Sequence, residues 1–199
     1  MKLIIASHNQ GKLKEFKQAL KDYPFEMTSL SDYPELKPVP ETGETFEENA
    51  RLKAETIAEL TNAYVLSDDS GLVVPSLNNA PGIYSARYAG ENARDEDNND
   101  KLLRELTSDL NREAYFVSCL VLAHPHKESL VVEGRVEGEI LTKRQGKEGF
   151  GYDPLFYYPP LNKTFAELTL EEKNTVSHRS RAIEKLLEEL PNWLGSDEL

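Results

Sequence analysis

The stretch Tyr64–Leu77, YVLSDDSGLVVPSL, decides how this chain is read. Its apolar start, Tyr64-Val65-Leu66, reads as a buried strand, and Asp68, Asp69, Ser70 and Gly71 follow almost at once. Adjacent carboxylates repel, and aspartate and glycine are poor strand formers. The strand is therefore expected to end at the aspartates, with a short apolar piece over Leu72–Val74 beyond them. While the chain stays extended, alternation turns Asp68 and Asp69 to opposite sides. A fold tolerates such a pair where the charges meet something positive. Oxygen ligands with few nearby histidines or cysteines suit Mg²⁺ or Mn²⁺ better than zinc. An Asx-type turn at a strand end is the plain structural alternative.

Working outward, Lys2–Ser7 reads as a first strand, followed by a loop over His8–Gly11 and a helix with Leu13, Phe16 and Leu20 on one face. Phe25–Leu30 reads as a second strand. Ser31–Gly43, with Pro34, Pro38 and Pro40, is an irregular loop. Thr45 and Glu48 form a capping box for a helix that buries Phe46, Ala50, Ile57 and Leu60. Asn78–Gly82 is turn chemistry, and a polar helix is expected over Ala93–Leu110. Tyr115–Ala123 and Ser129–Ile140 read as long strands joined through a hairpin at His124–Glu128. A last helix, capped by Ser177, turns Ile183, Leu186, Leu187 and Leu190 inward and is expected to stop at Pro191. Interleaved strands and helices with a late hairpin predict an α/β fold with a mixed sheet, and the chain is read as one domain over residues 1–199.

The formal charge is −12, from 23 basic and 35 acidic residues. Such a surface argues against binding long nucleic acid, which needs basic patches, yet leaves room for a small anion held by local lysines. The single cysteine, Cys119, forms no internal disulfide and fits a reducing compartment. The opening MKLIIASHNQ has too short an apolar run for a signal peptide, and no stretch approaches a membrane span. A cytoplasmic protein with no membrane partner is expected.

Several segments could carry chemistry. Ser7, His8, Asn9, Gln10, Gly11 and Lys12 stand at a strand-to-helix junction. There, helix-start N–H groups, a hydroxyl and a lysine could cradle phosphate, although the pattern is not a Walker A loop. Glu41 ends the proline-rich loop and is equally readable as a solvated carboxylate. Lys53 borders the apolar face of the next helix, where it either snorkels outward or points into a cleft. In EGFGYDP, Phe150, Gly151, Tyr152 and Asp153 could offer a flat face to a nucleobase, or the aromatics could pack into the core. Lys173, His178 and Arg179 are donors, two of them at a helix N-terminus, where positive charge opposes the dipole and hints at an anionic or carbonyl-bearing ligand. Cys119 reads as a small core residue, and His124 and His126 as surface histidines.

Taken in order, SHNQGK, ETGETFEENARLKA, SDDSGLVV, APGIYSARYAG, GFGYDPLF and AELTLEEKNTVSHRSRA resemble the inosine triphosphate pyrophosphatase family, the XTP/dITP diphosphatases. The likeness runs from Lys2 to about Leu187. It implies a long, twisted mixed sheet flanked by helices, with two lobes and a central cleft. It implies hydrolysis of ITP, dITP and XTP to monophosphate and pyrophosphate, a need for Mg²⁺ with Mn²⁺ as substitute, and a homodimer. It further implies that Ser7–Lys12 and Lys53 face the triphosphate, that Glu41 and Asp69 hold metal, and that Asp69 activates water with Asp68 beside it. Ser70, Phe150, Gly151, Tyr152, Asp153, Lys173, His178 and Arg179 would line the nucleotide pocket. The first motif departs from the common Thr-Gly-Asn or Thr-Ser-Asn by having Ser7-His8-Asn9. Two rivals are a Maf-like pyrophosphatase acting on other nucleotides and a nucleotide-binding regulator without turnover.

Overall fold

Leu3, Ile4 and Ile5 are buried in succession, the pattern of a strand covered on both faces. They belong to β1 (Lys2–Ile5), which pairs in parallel with β2 (Glu26–Ser29) on one side and β3 (Tyr64–Val73) on the other. The later strands are β4 (Glu113–His124), β5 (Lys127–Ile140), β6 (Phe156–Tyr158) and β7 (Lys163–Thr164). Among the described residues the α-helices are α1 (Gln10–Ala19), α2 (Phe46–Thr61), α3 (Asp95–Glu105), α4 (Leu170–Val176) and α5 (His178–Leu194). The computed structural model describes residues 1–107 and 111–195. The seven strands run in the order β2-β1-β3-β4-β5-β6-β7, with β5, β6 and β7 antiparallel, so the sheet is mixed.

The chain divides into two compact units, and β3 passes from one to the other at Asp69 and Ser70. In the first (Met1–Asp69, Ser118–Gly134, Arg181–Leu199), alternation along the strands builds two apolar layers. Leu3, Ile5, Leu66, Leu120 and Leu122 pack with α1 and α5, while Ile4, Val65, Cys119 and Val121 pack with α2. The second unit (Ser70–Val117, Arg135–Ser180) has its own core of Leu72, Phe116, Val136, Phe156 and Phe165, with Leu102 from α3.

Four expectations need correction. The strand does not end at the aspartates: β3 runs through Asp68 and Asp69 to Val73, absorbing the piece read as separate. Leu60 is 66% exposed, since it turns out of the α2 face held by Ala50, Ala54 and Ala58. Thr45 does cap α2, its hydroxyl accepting the Glu48 N–H, but Glu48 returns its bond to the Glu44 N–H and so closes no box on Thr45. Pro191 lies inside α5, which continues to Leu194. A proline withholds the N–H owed to the carbonyl four residues back; at that carbonyl, Leu187, the Tyr23 hydroxyl donates instead at 3.4 Å. The polar helix expected over Ala93–Leu110 forms over Asp95–Glu105, capped by Leu106, and residues 108–110 lie outside the described residues.

Leu186 of α5 is 1% exposed among the strand residues of its layer. Leu186→Ala is expected to destabilise the protein by about 2–5 kcal/mol through lost burial and a residual cavity, read as the fall in urea-unfolding free energy.

Candidate functional site

Each unit holds one group of the candidate side chains. In the first, Asn9 caps α1, its Oδ1 accepting the Lys12 N–H at 3.1 Å, while Ser7 Oγ accepts the Asn9 N–H at 3.1 Å. The cap fixes the first turn of α1 so that Lys12 reaches Asp68, Nζ to Oδ2 at 2.9 Å. The Ser118 hydroxyl donates to the other Asp68 oxygen at 2.9 Å. The Asp68 side chain is thus almost wholly buried but fully engaged. His8, Gln10 and Gly11 are exposed on the same turn.

On the opposite face of β3, Lys53 of α2 gathers the remaining charges. Its Nζ lies 2.7 Å from Glu41 Oε1 and 3.9 Å from Asp69 Oδ1, and donates to the Asp68 carbonyl at 3.2 Å. Glu41 reaches it because Gly43 comes tight against the start of α2: the Gly43 N–H donates to buried Asn49 Oδ1 at 2.8 Å, and a Cβ there would sit 2.6 Å from Glu48 Cβ. Lys53 therefore points into the unit rather than snorkelling out. Asp69 Oδ2 is buried with no hydrogen-bond partner among the described residues. Burial pushes the Asp69 carboxyl up to about 6; Lys53 opposes this, while Glu41 and Asp68 add to it. A cavity of about 540 Å³ opens beside Glu41 and Lys53, lined also by Ser7, His8, Lys12 and Asp68 and by the Tyr33–Val39 loop.

In the second unit, Asp153 is buried at the foot of the Gly149–Gly151 turn. It accepts the Phe150 N–H at 3.0 Å and is bonded to the Lys173 ammonium. Burial raises its carboxyl above the usual range, against the pull of Lys173. Phe150 is 49% exposed, with Lys173 Nζ 4.8 Å from its ring centre. Arg179 is buried and donates to Ser70 Oγ at 3.4 Å. His178, also buried, stacks on Phe116 at 4.9 Å between ring centres. Ser177 caps α5 as expected, accepting the Ser180 N–H. Tyr152 takes the other course left open for it: it packs into the core and donates its hydroxyl to the Ser85 carbonyl at 2.7 Å.

Sequence reasoning passed over Ser118, Asn49 and Ser85, each a buried polar residue in an otherwise ordinary segment. The available signal was a small polar residue facing a core, which is retained where it has a partner. Cys119 is buried and its thiol is pushed up to about 12, an inert core group. His124 packs against Tyr64, ring centres 4.4 Å apart and planes tilted by 31°. Among the described residues no three histidine, cysteine or carboxylate side chains group as a ready metal site.

The chain belongs to the Ham1 family, whose model matches residues 3–189. It is 51% identical to the dITP/XTP pyrophosphatase of Streptococcus pneumoniae serotype 4, over 99% of this chain and all of that one. It is 47% identical to the dITP/XTP pyrophosphatase of Bacillus anthracis, covering 96% of each. Among solved structures, the Ham1 protein of Staphylococcus aureus superposes with a TM-score of 0.90 at 47% identity, covering 96% of this chain and 98% of that one. A nucleoside-triphosphatase / dITP/XTP pyrophosphatase from Mycobacterium abscessus gives 0.81 at 44% identity, covering 96% and 100%.

Ser118→Ala removes a hydrogen bond that satisfies buried Asp68. The substitution is expected to cost about 1–3 kcal/mol of stability, measured by chemical denaturation.

Proposed function

We propose that this chain hydrolyses non-standard purine nucleoside triphosphates, dITP, ITP and XTP, to the monophosphate and pyrophosphate. The observation that carries the reading is the Glu41–Lys53–Asp69 group, in which a buried carboxylate oxygen faces no partner beside a phosphate-cradle loop. The relatives named for dITP and XTP hydrolysis, at about half identity over nearly the full length, supply the substrate class.

The residues fit a divalent cation. Asp69 Oδ2 is free to ligate and Glu41 is a second carboxylate against the same lysine. Mg²⁺ characteristically takes one or two protein carboxylates and completes its shell with phosphate oxygens and water. Two carboxylates without a third ligand therefore suit Mg²⁺, with Mn²⁺ as a substitute. When bound, the cation would offset charge on the phosphates and lower the pKa of water.

The chain's own groups do the rest. Ser7, Asn9 and Lys12, with the N–H groups opening α1, orient the triphosphate, and Lys53 offsets charge spreading onto its oxygens. The Asp69 carboxylate, pushed up to about 6 in the absence of metal, is the group beside Lys53 placed to take a proton from an aimed water. Asp68 is the structural member of the pair, committed to Lys12 and Ser118. In the second unit, exposed Phe150 offers a stacking face for the purine. Lys173, His178 and Arg179 supply donors that suit a 6-oxo group and leave an adenine amine badly paired. A homodimer in a reducing cytoplasm completes the proposal.

The test is incubation of the purified protein with Mg²⁺ and, separately, dITP, XTP, ATP, GTP and dUTP, with products separated by chromatography. Monophosphate and pyrophosphate from dITP and XTP, with little from the others, is the expected result. Turnover of dUTP alone would favour a Maf-like enzyme, and tight dITP binding without product would favour a regulator. Asp69→Asn is expected to keep the fold and lower kcat by at least about a hundredfold. Near-normal kcat in that variant contradicts the role given to Asp69.

A further inference from the structure

Phe150 sits on a turn that is held in place from α3. Gly149 and Gly151 flank it at φ +77° and +60°, conformations that L side chains rarely adopt. Such a turn would be mobile if left to itself, and ordering it on ligand binding would cost affinity. Here its backbone is tied down. The Gly151 N–H donates to Asp95 Oδ2 at 2.6 Å, and Asn99 Nδ2 donates to the Gly151 carbonyl at 2.8 Å. The same Asn99 amide also donates to the Asp95 carbonyl at 2.7 Å, locking the two α3 residues together. Asn99 is 2% exposed and its Oδ1 is buried with no hydrogen-bond partner among the described residues. A buried amide with one end unsatisfied is costly to keep, and its grip on Gly151 is what it does in return. Upstream, Arg144 donates to the Glu96 carbonyl at 3.1 Å and to Asp100 Oδ1 at 2.7 Å, so α3 holds this segment at two points.

We infer that Asp95 and Asn99 are positioning residues for the purine: through Gly151 they hold the Phe150 ring ready for stacking. The inference rests on the proposal that this turn receives the base. Asp95 is exposed, so its variants test the bond without disturbing the core. Asp95→Ala removes the acceptor, whereas Asp95→Asn loses the charge but keeps an acceptor oxygen for the Gly151 N–H.

The experiment measures KM and kcat for dITP, the inhibition constant of pyrophosphate, and hydrogen exchange at the Gly151 amide. In Asp95→Ala, KM is expected to rise about tenfold, the size of a lost charge-assisted bond, with kcat and pyrophosphate inhibition changing by less than about twofold. The Gly151 amide exchanges faster in that variant, and Asp95→Asn, which keeps a neutral acceptor, restores KM and protection in part. An unchanged KM in Asp95→Ala, or KM, kcat and pyrophosphate inhibition shifting together, overturns the inference while wild-type turnover of dITP keeps the functional reading standing. Wild-type protein that does not turn over dITP overturns both.

Discussion

A strand buried on both faces holds adjacent carboxylates only where each meets its own counter-charge, and β3 meets that demand with two lysines from different helices. Lys12, set by the Asn9 cap, engages Asp68 on one face; Lys53, from α2, engages Asp69 on the other. The two sides are not equivalent. Asp68 is met by the Lys12 ammonium at one oxygen and by the Ser118 hydroxyl at the other. Asp69 shares a lysine with Glu41 and keeps one oxygen without a partner. On that asymmetry rests the proposal that Asp68 is the structural carboxylate and Asp69 the reactive one. Gly43 against Asn49 brings Glu41 into reach, and Thr45 fixes the start of α2 that carries Lys53.

The second unit solves a similar problem around Asp153. Its buried carboxylate is bonded to Lys173 and to the backbone of the turn it supports, so one charge pair fixes a donor and an aromatic face together. Arg179, a buried cation at the start of α5, adds to the same field by lowering the Asp153 carboxyl's affinity for its proton. Such positive residues at a helix N-terminus act against the dipole, and the carboxylate beside them is part of what makes the arrangement tolerable.

The periodic features were legible in the sequence. Alternation placed Asp68 and Asp69 on opposite faces, and apolar spacing found α1, α2, α5 and the β4–β5 hairpin. The end of β3 was misread because adjacent aspartates look like strand breakers until Lys12 and Lys53, far away in the chain, are seen to neutralise them. Pro191 was misread for a related reason: the partner that satisfies the Leu187 carbonyl, Tyr23, lies at the other end of the chain. Ser118 and Asn99 resemble chance polar residues until a long-range partner is known, and Asn49 until its bond to the Gly43 N–H, six residues back, is seen. Of the candidate site residues, Lys53 and Phe150 each had two open readings, and only folding chose between them. Tyr152 went to the core because its hydroxyl finds the Ser85 carbonyl there.

The central claim is that Asp69, unlike Asp68, is a buried carboxylate short of positive charge, a deficit that a divalent cation would fill. Its most direct test is a carbon-detected NMR titration of the aspartate carboxyls, with Asp69→Asn supplying the assignment and Mg²⁺ added in a second series. The account predicts an Asp69 midpoint near 6 without metal, displaced downward when Mg²⁺ is present. An ordinary carboxylate midpoint near 4, or a midpoint that ignores Mg²⁺, would contradict it.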